Sequence, residues 1–244
     1  MSGAHGKRHK ENLLKVDRER EYAPAEAVSL VKSLSSAKFD ESVELHVRTG
    51  LNVRHADEQL RGTIALPNGL GKDVTVAVFA QGDKAKEAEE AGADVVGAQD
   101  LAKRIQDGFD EFDVAIATPD LMGVVGQLGR ILGPAGKMPN PKVGTVTMDV
   151  AKAVEESKSG KVEYRTDRTA IVHLVIGKAS FDDRTLLENY AAVIEELVRA
   201  KPSAAKGRYL RTVTLTSTMG PGVKVDPSRT KDIIEEAPAA SAAA

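Results

Sequence analysis

The sequence predicts an α+β domain that is split along the chain, with a parallel α/β domain of the Rossmann-like, three-layer kind inserted into it. Three observations carry that reading. Towards both ends, apolar residues alternate with polar ones in runs bounded by turn residues, which marks half-buried antiparallel strands. Between them, short continuous apolar runs alternate with helical patterns, the βαβ rhythm of a parallel sheet covered on both faces. Charge divides the same way: residues 1–68 carry 11 Lys+Arg against 10 Asp+Glu, residues 69–159 carry 10 against 15, and residues 160–231 carry 13 against 8. The net charge of -2 conceals this split. The expected domains are therefore 1–68 joined with 160–231, and 69–159, with 232–244 an acidic, Ala-rich disordered tail.

Residues 5–20 are rich in charge and run towards Pro24, whose fixed φ suits the first turn of a helix. Ala27, Val28, Val31 and Leu34 repeat at three and four, so an amphipathic helix is expected to end near Ser36. From Phe39 the period becomes two: Glu41, Val43, Leu45 and Val47 on one face, Ser42, Glu44, His46 and Arg48 on the other. A short strand, GTIALP, leads into the loop NGLGK. The middle then reads VTVAVFA (strand), a helix from Asp83, VVG (strand), a helix from Asp100, DVAIATP (strand) and a helix from Asp120 through GRIL; the three aspartates stand where helix caps belong. Asp149 opens a further helix. After Gly160 come the strands KVEYRTD and TAIVHLVIG, then a helix from Asp182 to Arg199 with Leu186, Leu187, Tyr190, Ala191, Ile194, Leu197 and Val198 as its apolar stripe. In the last strand Val213 and Leu215 alternate with Thr212, Thr214, Thr216 and Thr218. The Gly-, Lys- or Ser-rich crossings at 67–72 and 157–160 are candidate hinges.

Composition excludes several classes of function. With no Cys there are no disulfides, thiolate metal sites or cysteine nucleophile. No apolar run approaches the length of a membrane span, and the N-terminus MSGAHGKRHKE has no apolar segment behind its basic residues, so a cytoplasmic protein without membrane contact is expected. The five His are scattered. No second His or paired acid stands at metal spacing from His46, which reads as a solvent-face residue. No metal site or cofactor is expected.

The most specific stretch is GQLGRILGPAGKMPNPKVGT, 126–145. Gly129 and Gly133 lie one helical turn apart, Gly133-Pro134 ends the helix, and Lys137 and Lys142 are expected to be exposed. A phosphate loop would need glycine where Ile131 stands and a hydroxyl where Met138 stands, and Gly123, Gly126 and Gly129 miss the dinucleotide spacing. A parallel sheet often holds a ligand at its strand ends, which keeps an enzyme reading open. However, no nucleophile–base pair accompanies it, and no enzyme is expected.

The second specific stretch is TSTMGPG, 216–222. There a hydroxyl-lined strand ends in a bare turn that lets Met219 press on a partner or tuck into the core. Phe39, directly after Lys38, faces the same choice between stacking and closing the core. Hydroxyls, main chain and bases together suit the shallow minor groove of A-form RNA.

KFDESVELHVRTGL, RGTIALPNGLGK, LGPAGKMPNP with VGTV after it as a strand, and LRTVTLTSTMGPGVKV resemble the ribosomal large-subunit protein one family, over about residues 10–231. The resemblance implies a non-enzymatic constituent of the large ribosomal subunit, monomeric outside the ribosome. It would bind the stalk helices of large-subunit rRNA, support release of exit-site tRNA, and repress its own operon by binding an mRNA copy of the rRNA site. It assigns Phe39, Thr218, Met219 and Gly220 to RNA; the full expected contact set adds Lys38, Glu44, Arg165, Arg168 and Thr216.

Overall fold

The computed structural model describes residues 6–229 apart from residue 204; the tail expected to be disordered lies outside the described residues. Helices α1 (Lys7–Leu14) and α2 (Pro24–Leu34) precede strand β1 (Ser42–Thr49). Then follow β2 (Arg61–Ala65), β3 (Val76–Phe79), α3 (Asp83–Glu90), β4 (Val95–Gly97), α4 (Gln99–Gln106) and β5 (Val114–Ala117). Next come α5 (Met122–Gln127), α6 (Gly129–Leu132), α7 (Val150–Lys158), β6 (Lys161–Arg165), β7 (Ile171–Lys178), α8 (Asp183–Arg199), β8 (Leu210–Ser217) and β9 (Val223–Val225). The result is a mixed α/β protein with a parallel sheet and antiparallel ones. Two compact units emerge: one from the described residues of Met1–Leu60, Leu66–Gly71 and Tyr164–Ala244, the other from Arg61–Ala65 and Lys72–Glu163. These divisions differ from those drawn at 68/69 and 159/160, because β2 pairs with β6 and its residues go with the second unit.

In the first unit the sheet runs in the order β7-β1-β8-β9, and each pair is antiparallel. Period-two alternation puts Val43, Leu45 and Val47, Val172, Leu174 and Ile176, and Val213 and Leu215 on a buried face, which α2 and α8 cover. Pro24 occupies the first turn of α2, as expected. Along α8, Leu186, Leu187, Tyr190, Val193, Ile194 and Leu197 are each at most 1% exposed. At ~1.5–3 kcal/mol for each fully buried large apolar side chain, that stripe secures a helix that would be marginal in isolation. Val198, assigned to the stripe from sequence, is 45% exposed; residue 198 turns away because its neighbour Leu197 takes the core position. Asn189 is fully buried instead, its Nδ2 donating to Gly69 O (3.0 Å) and Ile176 O (2.7 Å) while its Oδ1 accepts from Asn68 N (3.1 Å). Tyr22, Tyr164, Tyr190 and Tyr209, all the tyrosines of the chain, are buried in this unit.

The second unit contains a parallel sheet of order β4-β3-β5. One apolar cluster joins Phe79, Leu101, Ile105, Val125, Leu128 and Leu132 on one face, and another joins Val76, Val78, Ala88, Ile116, Val150 and Val154 on the other, so helices cover both faces. The single helix expected from Asp120 through Leu132 is broken into a 3-10 turn at Pro119–Leu121, α5 and α6. Glycine weakens helical propagation, and Gly123, Gly126 and Gly129 crowd this segment. A Cβ at Gly133 would sit 2.5 Å from the Gly129 carbonyl oxygen, so the residue that ends α6 is sterically required to be glycine, whereas a Cβ at Gly129 would meet nothing within 4 Å. Of the aspartates read as caps, Asp83, Asp100 and Asp120 do not occupy the cap position, although Asp100 accepts from Ala98 N at 2.8 Å; Asp149, which opens α7, does cap it, accepting from Lys152 N at 3.4 Å. The expected VGTV strand is instead a 3-10 turn (Pro141–Val143) followed by one parallel bridge, Ala117 to Val146. Asn140 and Thr145 bond each other across that turn, which bends the segment away from extended pairing.

Candidate nucleic-acid interface

One face of the first unit's sheet carries no covering helix among the described residues. Its register sets polar residues in rows across three strands: Arg48 beside Thr212, His46 between His173 and Thr214, and Glu44 beside Thr216. The same alternation that buries valine and leucine on the other face produces this one. In the middle row, His46 Nδ1 lies 2.9 Å from His173 Nδ1, so one ring must donate and the other accept. Burial and the neighbouring His173 lower the pKa of His46, against the opposing pull of Glu44.

At one end of this face the chain enters β1 through residues 35–41 and leaves β8 through the turn 217–220. Phe39 is 56% exposed and Met219 54%, which decides the choice left open by sequence: neither side chain closes the core. Lys38 is exposed beside Phe39. The Thr218 hydroxyl accepts from Ser42 N (2.9 Å), and Thr218 N donates to Ser42 O (3.1 Å), tying the turn to the start of β1. Thr216 Oγ1 donates to Ser217 O (3.0 Å) and Gly220 O (3.3 Å). A Cβ at Gly220 would lie 2.5 Å from the Ser217 hydroxyl oxygen, so only glycine closes the turn without displacement. Lys38, Phe39, Glu44, Thr216, Thr218, Met219 and Gly220 therefore gather at one end of the sheet.

Beneath that end lies Glu41, 1% exposed. Its Oε1 accepts from Ser36 N (2.9 Å) and Ala37 N (2.8 Å), and its Oε2 from Met219 N (3.0 Å). Burial alone would push its carboxyl up; the Met219 and Ala37 amides, the nearby Ser217 hydroxyl and the Ser36 amide outweigh that and hold it at about 2. The Ser217 hydroxyl is turned towards the carboxylate but makes no hydrogen bond of good geometry.

Arg165 and Arg168 sit elsewhere. Because β1 and β7 are antiparallel, with Arg48 opposite Ile171, the 165–170 hairpin lies at the far end of β1, a strand length away from Phe39. There Arg165 and Arg168 line a cavity with Arg54, Gln59 and Asp167. The Asp167 carboxylate accepts from Thr169 N (2.8 Å) and Ile171 N (2.7 Å), shaping the hairpin that presents Arg168, and Ala170 completes it at a φ of 62°. None of the three arginines is in an ion pair among the described residues. The expected set thus forms two groups, one at each end of a polar face.

The second unit offers less. Lys137, expected to be exposed, is half-buried: its ammonium donates to Asp110 Oδ1 (2.6 Å) and Asp110 O (3.0 Å) and lies over the Phe112 ring. Lys142 is exposed. Among the described residues no cluster of His, Asp or Glu is arranged for a metal ion, and no helix is long and apolar enough to cross a membrane.

A family model described as the Ribosomal protein L1p/L10e family matches residues 31–221. The chain belongs to that family. It is a family of ribosomal proteins, not of enzymes. The chain is also similar to the large ribosomal subunit protein uL1 of Rubrobacter xylanophilus, 63% identical over 224 residues, which cover 91% of this chain and 97% of the relative. The span matched to the L1p/L10e family contains both groups of residues on the open face, along with Glu41 and Arg54. Sequence reading passed over those last two. Glu41 had a signal, since it falls in phase with the buried Val43, Leu45 and Val47, where a carboxylate needs donors. Arg54 had none, because its place beside Arg165 depends on a pairing of distant segments.

Proposed function

We propose that this chain is a constituent of the large ribosomal subunit that binds stalk rRNA through the open sheet face of its first unit. The observation that carries the reading is that two large apolar side chains, Phe39 and Met219, stand exposed together at one end of a hydroxyl-lined polar face. A-form RNA offers 2′-hydroxyls and phosphates in a shallow groove, which threonine hydroxyls and main chain can match, while an exposed ring and thioether press on sugars and bases. Charge supports the same side of the molecule: Arg61–Ala65 with Lys72–Glu163 holds 12 Lys+Arg against 16 Asp+Glu, which leaves the basic excess in the first unit.

In this reading the RNA-binding domain is the split one, 1–68 with 160–231, and 69–159 is inserted into it. Lys38, Phe39, Glu44, Thr216, Thr218, Met219 and Gly220 form one contact group, Arg165 and Arg168 a second. The family resemblance extends the proposal to exit-site tRNA release and to repression of the protein's own operon through an mRNA that presents the same RNA shape. The protein would work in the cytoplasm on the ribosome, as a monomer when free and without a cofactor. Filter binding of the purified protein to a stalk rRNA fragment across a salt series tests the core of it. Saturable binding that weakens with salt is expected; binding no tighter than to an unrelated duplex of equal length would refute it.

A further inference from the structure

We infer that Glu41 is a positioning residue that holds the Phe39 loop and the Met219 turn in one arrangement for RNA, an inference that rests on the functional reading above. A side chain more than half exposed is not located by core packing, so Phe39 and Met219 stand where their backbone puts them. One carboxylate reaches both backbones. Its first oxygen takes the amides of Ser36 and Ala37, three and two residues before Phe39; its second takes the amide of Met219 itself. The flanking residues brace the same joint, since Glu41 O accepts from Ala179 N (2.8 Å) and Asp40 accepts from Ser180 N (3.1 Å) and Oγ (2.7 Å). No lysine or arginine pairs with Glu41 among the described residues, so its charge is met by three main-chain amides, with the Ser217 hydroxyl close by. It acts as an internal anion in a nest of N–H groups, where the bound anion belongs to the chain. Ordering two loops before binding removes that cost from association.

A negative charge beneath an RNA-binding surface gives the test its sign. If Glu41 acted only through its field, Glu41→Gln would remove repulsion and tighten binding. If it acts by position, glutamine cannot serve both loops, because its amide nitrogen is a donor facing a donor; binding to the stalk rRNA fragment should weaken ~10-fold or more, with the salt slope unchanged, since no phosphate-contacting cation is lost. In a Phe39→Ala/Met219→Ala background, Glu41→Gln should then cost little more, because the side chains it positions are gone. Hydrogen exchange on the unaltered protein gives an independent reading: the Ser36, Ala37 and Met219 amides should be protected although their segments are at the surface. Unprotected amides, equal or tighter binding by Glu41→Gln, or a full additive loss in the double background would each overturn the inference. Failure of the unaltered protein to bind the fragment would overturn the functional reading and this inference with it, whereas normal wild-type binding matched by Glu41→Gln overturns this inference alone.

Discussion

Phe39, Met219 and Thr218 look alike as surface residues of one end of a sheet, but they differ in what else they hold. Met219→Ala and Phe39→Ala remove atoms that are more than half exposed, so melting temperature should change little while affinity for the rRNA fragment falls. A core methionine would instead lose ~2–5 kcal/mol of stability on truncation, and a large drop in melting temperature would contradict the placement. Thr218→Val is a mixed case, because the hydroxyl also serves Ser42; some loss of stability should accompany its loss of binding. Glu41 adds a pH dependence. Its folded pKa of about 2 lies below the ordinary 4.5, so its contribution is fully present above the unfolded pKa and disappears as pH falls from ~4.5 to ~2, a difference of ~3 kcal/mol. Thermal unfolding of wild type and Glu41→Gln should therefore converge over that window, and curves that stay parallel would contradict it.

At the scale of elements, most of the chain was legible because hydrophobic period is a local property. The two-residue rhythm of β1, β7 and β8 and the stripe of α8, apart from Val198, placed both elements and faces correctly, and Pro24 and Gly133 marked true ends. What failed depended on competition. A run of apolar residues from Leu121 to Leu132 reads as one helix, yet its glycines weaken the middle, and the break follows. The VGTV segment has strand composition, but Asn140 and Thr145 close a local turn that wins over pairing. Helix α1 has little apolar periodicity of its own; Asn12 fixes it by donating to Leu34 O at 2.9 Å. The segment at 68–69 likewise depends on one buried amide. Asn189→Leu would keep the volume but leave Gly69 O, Ile176 O and Asn68 N without their partner, at ~1–3 kcal/mol for each group that stays buried and unpaired. Chemical denaturation should show a destabilisation of that order; an unchanged midpoint would mean water replaces the amide.

For the whole molecule, averages misled and segments informed. A net charge of -2 gives no hint of nucleic acid, while the split between units does, and nothing in the sequence signals that the expected contact residues lie in two groups a strand length apart. That separation makes a measurable difference. Arg54, Arg165 and Arg168 should act on phosphate charge, so alanine at each should weaken binding and reduce the slope of log K against log salt by ~0.7–0.9. Phe39→Ala should weaken binding with the slope intact. Identical slopes for all four variants would place the arginine cavity off the RNA path.

The distribution of the tyrosines has a spectroscopic consequence. With no Trp in the chain and every Tyr in the first unit, ultraviolet emission reports one unit and is blind to the other, whereas far-ultraviolet dichroism sums the helices of both. Melting followed by the two signals at once is thus a built-in two-channel experiment that needs no label. A single Trp introduced at Phe109 or Phe112 would add the missing channel. Superimposed curves in all three would mean that the chain unfolds as one cooperative body, and a displaced emission curve would give the order in which its parts let go.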